Sequence, residues 1–284
     1  MVREFKLINE KGQEYSLMDI ENYCLLTEPS GLGYEYVTEY EQLQNTFITK
    51  LRQIGQGQIT GIVNFLNYDN YKKLIDFIEE SESLKISYKV PLSENAKEYF
   101  KDVQVQSISK TEIQPNAIMS ETIVFDCLSL WYEENTTRYK IEPQENEIRW
   151  DFRWDSRFSD YNSRSLVFVN KGHTEAPILV EISGQVINPK IEVYIEGQLY
   201  QTVTFSTTIA EYQKLLYGSK ENEFYINRQN TDGTLTNLFS LDVINFYNDN
   251  VIRLPQNKSC EVVLSADNEV LNAQITVLVY YKAI

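Results

Sequence analysis

Pro29-Ser30-Gly31-Leu32-Gly33-Tyr34-Glu35-Tyr36 sets two glycines beside alternating aromatics, with strand-like sequence on both sides. Glycine permits backbone conformations and close approaches that a side chain blocks. The aromatics can bury large apolar area while keeping a polar tip in water. The stretch reads as a tight loop feeding a contact strand. Upstream, Phe5 to Ile8 is a short first strand with its turn at Lys11-Gly12. Leu25-Leu26 and Tyr34-Glu35-Tyr36-Val37 are further strand material, and Gln58 to Leu66 is apolar and partly β-branched. Gly61 within it weakens the interior or marks a bulge.

One helix follows. Tyr71, Leu74, Ile75 and Ile78 fall at i, i+3, i+4 and i+7, with Asp69 or Asn70 as cap. Lys72, Lys73, Asp76, Glu79 and Glu80 line the other, solvated face. Strands are expected at Leu84 to Val90, Val103 to Ile108 and Glu121 to Trp131. In the last, Ile123, Phe125 and Cys127 share one face and Val124 and Leu128 the other, a pattern for a strand covered on both sides. Residues Tyr132 to Ile148 turn acidic and rich in Asn and Thr, with Pro143 inside, and read as a linker. This predicts two domains, 1–138 and 139–284, with the boundary inside 132–165.

The second half is more plainly β. Leu166 to Val169 leads to a turn at Lys171-Gly172. Ile178, Val180 and Ile182 alternate with Leu179, Glu181 and Ser183, and Ile191, Val193 and Ile195 with Glu192 and Tyr194 before a Glu196-Gly197 turn. Leu199 to Phe205 lies at hairpin distance, Asp232-Gly233 is another hairpin signal, and Ile275, Val277 and Val279 form a last strand. Only Ile209 to Tyr217 suggests a short helix. Many short strands at close spacing argue for a sandwich or jelly roll.

Composition limits the function classes. The 284 residues suit about two domains on a prior of roughly 100–200 residues each. Aromatics reach 13%, with 20 Tyr, which suits both pleated surfaces and protein contacts. A net charge of −15 is wrong for holding phosphate backbones or anionic membranes. It suits standing near DNA without binding it. Cys24, Cys127 and Cys260 are far apart and without CxxC spacing, so free thiols and a reducing compartment are expected, not zinc. The start has no signal-peptide core, and no apolar run approaches the ~18 residues of a membrane helix.

Catalytic chemistry is scarce. The one histidine, His173, sits in a turn-like Gly172-His173-Thr174-Glu175 with no nucleophile marked for it. Asp151 and Asp155, four apart and each directly after a tryptophan (Trp150 and Trp154), combine the acids and aromatics of a glycosidase, yet Arg153 and Arg157 can simply pair with them. Trp150 and Trp154 are also candidate glycan contacts if the chain is a carbohydrate-binding module. Gly55 to Gly61 has the wrong spacing for a phosphate loop. No cofactor or metal site is expected.

Several segments in order resemble the distal tail (Dit) family of long-tailed phages. They are Phe5 to Asn9, Tyr15-Ser16-Leu17, the Gly31–Gly33 segment and Thr122 to Tyr132. Trp150 to Asp155, Asn170 to Pro177, Gly184 and Asn188-Pro189 follow. The resemblance implies a mainly β chain: an N-terminal β-sandwich or split-barrel domain with one helix, then a galectin-like C-terminal β-sandwich. It implies a hexameric hub ring in the virion, assembled in the host cytoplasm. That ring would join the tail tube to the tail-associated lysin or fibre and to receptor-binding baseplate proteins, with DNA passing unbound through its lumen. No arm-sized insertion for receptor-binding proteins is evident. A closed ring needs one patch to meet a different one on its neighbour. Gly31, Leu32, Gly33, Tyr34, Tyr36, Phe47 and Ile48 are the candidates for one such patch.

Overall fold

The computed structural model describes residues 3–21, 24–91, 96–112, 118–141, 165–240, 243–244, 251–268 and 271–284. The chain divides into two compact units, residues 1–133 with 280–284, and residues 134–279.

In the first unit the strands are β1 (Glu4–Asn9), β2 (Glu14–Ser16), β3 (Met18–Asp19), β4 (Cys24–Ser30), β5 (Tyr36–Leu43), β6 (Thr46–Ile54) and β7 (Gln58–Phe65). Helix α1 (Tyr68–Glu79) precedes β8 (Leu84–Lys89), β9 (Glu98–Ile108), β10 (Met119–Cys127) and β11 (Trp131–Ile141), of which residues 134–141 belong to the second unit. All pairings are antiparallel. β2 pairs β1, β1 pairs β8, and β8 pairs β9. β9 pairs β10, β10 pairs β7, β7 pairs β4, and β4 pairs β3. Val103 is the pivot, paired with Leu84 of β8 on one side and Cys127 of β10 on the other. The two ends of this sheet are linked by one residue. Leu17 donates its N–H to the Phe5 carbonyl and accepts from the Leu26 N–H.

The core is built from alternating inward residues such as Phe5, Leu7, Ile59, Val63, Ile123 and Phe125. β10 is buried on one face only. Thr122 and Leu128 are exposed and Val124 is half-buried, so the double-sided cover expected for this strand is absent. Gly61 marks a close crossing: a Cβ there would stand 2.7 Å from Leu26 Cδ1.

Helix α1 buries Leu74 and half-buries Tyr71, Ile75 and Ile78, while Lys72, Lys73, Asp76, Glu79 and Glu80 face water. Its cap is Asn67, not Asp69 or Asn70. Asn67 keeps an extended backbone and its side chain accepts the Asn70 N–H at 2.9 Å, whereas residues 69 and 70 are already helical. The segment expected to be a linker starts as strand β11; residues 142–148 lie outside the described residues.

The second unit holds β12 (Ser165–Val169), β13 (Ala176–Ser183), β14 (Val186–Ile187), β15 (Lys190–Ile195), β16 (Gln198–Thr204), β17 (Thr208–Ile209) and β18 (Lys214–Gly218). It continues with β19 (Tyr225–Gln229), β20 (Leu235–Asn237), β21 (Arg253–Leu254), β22 (Ser259–Ser265) and β23 (Leu271–Tyr281), of which the last two residues belong to the first unit. One sheet runs β12-β22-β15-β16 and another β20-β19-β18-β13-β23. Each buries one face, through Ile191, Val193 and Val262 in the first and Ile178, Leu215 and Ile275 in the second. The β15–β16 hairpin turns at Glu196 (φ 52°) and Gly197 (φ 78°), the left-handed pair that matches strand twist.

The helix expected over Ile209 to Tyr217 is not formed. Ile209 ends β17, Tyr212 takes φ 66° in a turn, and β18 follows, with Leu215 and Tyr217 both buried. Their separation of two is a strand period, and Tyr217 stacks edge-on against Phe205 at 5.8 Å.

Candidate assembly interface

The Gly31–Gly33 segment is held by the rest of the first unit. Gly31 sits at φ 79°, and a Cβ there would lie 1.8 Å from the Gln58 carbonyl oxygen, so only glycine fits. The Leu32 carbonyl accepts a 2.9 Å hydrogen bond from Trp131 Nε1, whose ring is fully buried. Leu32 itself packs on the core. Gly33 has open space around its Cβ position. The Ser30 and Thr60 hydroxyls, 2.6 Å apart, and the Gly55 N–H to Glu35 carbonyl bond complete this root.

From the root the chain enters the β5–β6 hairpin, which pairs with no other described strand. Tyr34 meets Tyr36 edge-on at 5.4 Å. Arg52 lies 4.0 Å from the Tyr36 ring centre, and Lys282 Nζ donates to the Tyr36 hydroxyl at 3.2 Å. The tip turns at Gln44, φ 55°, where Thr46 Oγ1 donates to the Leu43 carbonyl.

Register assigns the hairpin's faces. Tyr36 opposes Ile54, Thr38 opposes Arg52, and beyond a bulge Tyr40 opposes Thr49 and Gln42 opposes Phe47. This face is aromatic. Val37, Glu39, Glu41 and Leu43 point the other way with Leu51 and Ile48, an aliphatic and acidic face. Val37, Tyr40, Leu43, Phe47, Ile48 and Leu51 are all exposed, Phe47 at 68%. A two-stranded hairpin is marginal alone in water, and one with exposed apolar side chains on both faces calls for a partner surface.

Of the predicted contact residues, Tyr34 and Tyr36 stand at the hairpin root, and Phe47 and Ile48 lie on its opposite faces near the tip. Gly31 is exposed and Leu32 half-buried at the base of the hairpin, where both are held by the first unit. Sequence reading missed Leu43, Leu51 and Arg52, because apolar residues on both faces erase the period-two signal and Gln44-Asn45 is a weak turn marker. Trp150, Asp151, Trp154 and Asp155 lie outside the described residues.

Elsewhere, buried polar side chains bond to neighbouring backbone and hydroxyl groups. Asn170 is buried and organises the His173 loop: its side chain donates to the Thr174 and Leu254 carbonyls and accepts from the Gly172 N–H, each at 2.9 Å. Buried Glu121 accepts from the Ser109 hydroxyl and from both the N–H and the hydroxyl of Thr111. Cys24, Cys127 and Cys260 are free and buried, and burial pushes all three thiols up, Cys24 to about 11. Among the described residues no three His, Cys, Asp or Glu side chains converge to hold a metal, and no helix is long and apolar enough to cross a membrane.

Residues 4–128 match the family model of the distal tail protein, N-terminal domain. The chain is similar over its whole length to a chain of the phage P2 baseplate in its activated conformation, at 18% identity, full coverage of both chains and a TM-score of 0.69. It is also similar to the Dit protein of phage SPP1, described as a paradigm of hub adsorption apparatus in phages infecting Gram-positive bacteria. There the identity is 10%, the coverage 96% of this chain and 98% of that one, and the TM-score 0.53. No curated protein matches the chain. At these identities the two structures establish a shared fold. Residues 4–128, which hold the first unit's sheet and its hairpin, thus match a distal tail protein N-terminal domain.

Proposed function

We propose that this protein is a non-catalytic hub of the phage tail tip, closing as a ring of six copies between the tail tube and the tail-associated lysin or fibre. The observation that carries this reading is the β5–β6 hairpin, with apolar side chains exposed on both faces and a root braced by Trp131. Such a hairpin is a contact element awaiting a neighbour, and a neighbouring copy supplies that surface at every position of a closed ring. The acidic balance of −15 agrees with a passage that DNA crosses without sticking. Receptor-binding baseplate proteins are the further partners in this reading, through the second unit.

Light scattering with negative-stain imaging of the purified full chain, alone and mixed with the tail tube and lysin proteins, tests the proposal. Rings with an open lumen and sixfold symmetry are the expected result. Monomers under every one of these conditions would sink the ring, and a different symmetry would correct its number.

A further inference from the structure

The outer face of the four-stranded sheet in the second unit carries a row of side chains placed by register. Val167 of β12 opposes Glu261 of β22, and Glu261 opposes Tyr194 of β15. An aliphatic group, a carboxylate and a phenol therefore stand side by side across three strands, each step about 4.8 Å. Their neighbours Cys260, Val262 and Val193 are buried, so the row points away from the core. The Glu196-Gly197 turn and the Asn257–Ser259 loop wall a cleft of about 410 Å³ over it. At the rim Glu196 is paired with Lys258 at 3.5 Å. Glu261, half-buried between Val167 and Tyr194, has no ion-pair partner among the described residues. Val167 is 66% exposed.

We propose that this cleft receives an arginine side chain from an extended segment of a partner protein. A guanidinium is planar, pairs with a carboxylate in two parallel hydrogen bonds and stacks on an aromatic face, while its methylenes lie on aliphatic surface. Glu261, Tyr194 and Val167 offer those three surfaces in that order. Among the described residues β12 pairs only with β22, so its outer edge presents the backbone groups that an added strand uses. The chain's −15 charge favours a basic partner. A neutral saccharide would use Tyr194 and leave the charge of Glu261 uncompensated. The cleft lies within one unit of one chain, so the proposal is independent of the ring.

The test is an NMR titration of the isotope-labelled full chain with a blocked pentapeptide of alternating valine and threonine around a central arginine. A second peptide carries citrulline, the neutral isostere, in its place. The expected result is shifts at Val167, Tyr194 and Glu261 with an affinity of about 1 mM, weakened about tenfold by citrulline and by Glu261→Gln. Glu261→Gln is nearly isosteric at a surface strand, and its unperturbed spectrum elsewhere confirms its fold. Equal binding of both peptides, retained affinity in Glu261→Gln, or no shift at these residues overturns the proposal. So does a chito-oligosaccharide that shifts the same three residues when the arginine peptide does not.

Discussion

Trp131 Nε1 donates to the Leu32 carbonyl at 2.9 Å across 99 positions of sequence. The bond ties the first residue of β11 to the loop that launches the β5–β6 hairpin. Trp131 also has Lys101 Nζ 5.0 Å from its ring centre and Tyr88 at 6.0 Å, so the indole is fixed on several sides. The exposed hairpin thus starts from a residue fixed in the core.

Trp131→Phe removes the donor and leaves the Leu32 carbonyl unsatisfied beside a small void. The expected loss is about 2–3 kcal/mol of stability, read by urea denaturation. Ring assembly should weaken with it, because the hairpin root loosens. An unchanged midpoint would show that the bond braces nothing.

Gly31→Ala places a methyl group against the Gln58 carbonyl at a positive φ, and the backbone there has to move. A loss of about 3 kcal/mol or more is expected. Gly33→Ala meets open space and should change stability by less than about 0.5 kcal/mol. Thermal melts of the two variants make the comparison.

Phe47→Glu and Ile48→Glu each put a charge on one face of the hairpin, the aromatic face and the aliphatic face respectively. Both side chains are exposed, so the melting of the single chain should barely change. If the hairpin is the ring contact, at least one variant stays monomeric in light scattering. Normal rings from both variants would remove the hairpin from the interface.

Alkaline pH should destabilise the first unit. Burial raises the Cys24 thiol from 9.0 to about 11, and burial with the Glu133 carboxylate beside it raises the Tyr281 phenol from 10.0 to about 12. Folded values above unfolded ones mean the stability is complete below the unfolded pKa and is lost as pH rises through the folded one. For Cys24 that window is pH 9 to 11, with on the order of 2 kcal/mol at stake. Denaturant midpoints measured across this range should fall. Cys24→Ala should start from a lower midpoint at neutral pH and fall less steeply.

Much of the architecture was legible because it rests on local periodicity. Ile191, Val193 and Ile195 alternate, Glu196-Gly197 supports a tight turn, and β15–β16 form there. Leu74 and its neighbours at helical spacing produce α1. The misreadings have physical causes too. Asn67 took the cap because the chain becomes helical earlier than Asp69. The apolar residues between Ile209 and Tyr217 fit a helix until Tyr212 turns left-handed and splits them between two strands. The hairpin's extent was hidden because Tyr36, Tyr40 and Phe47 fall on one face and Val37, Ile48 and Leu51 on the other.

By itself the order of residues determined a β-rich, acidic chain with one amphipathic helix, since side-chain periods of two and 3.6 are local properties of the backbone. Only the tertiary structure decided which surfaces stay open. It carried Trp131 to Leu32, laid Val167, Glu261 and Tyr194 in one row, and left both faces of β5–β6 uncovered. Those relationships depend on strand register between distant segments, and register is chosen by the burial of the whole core.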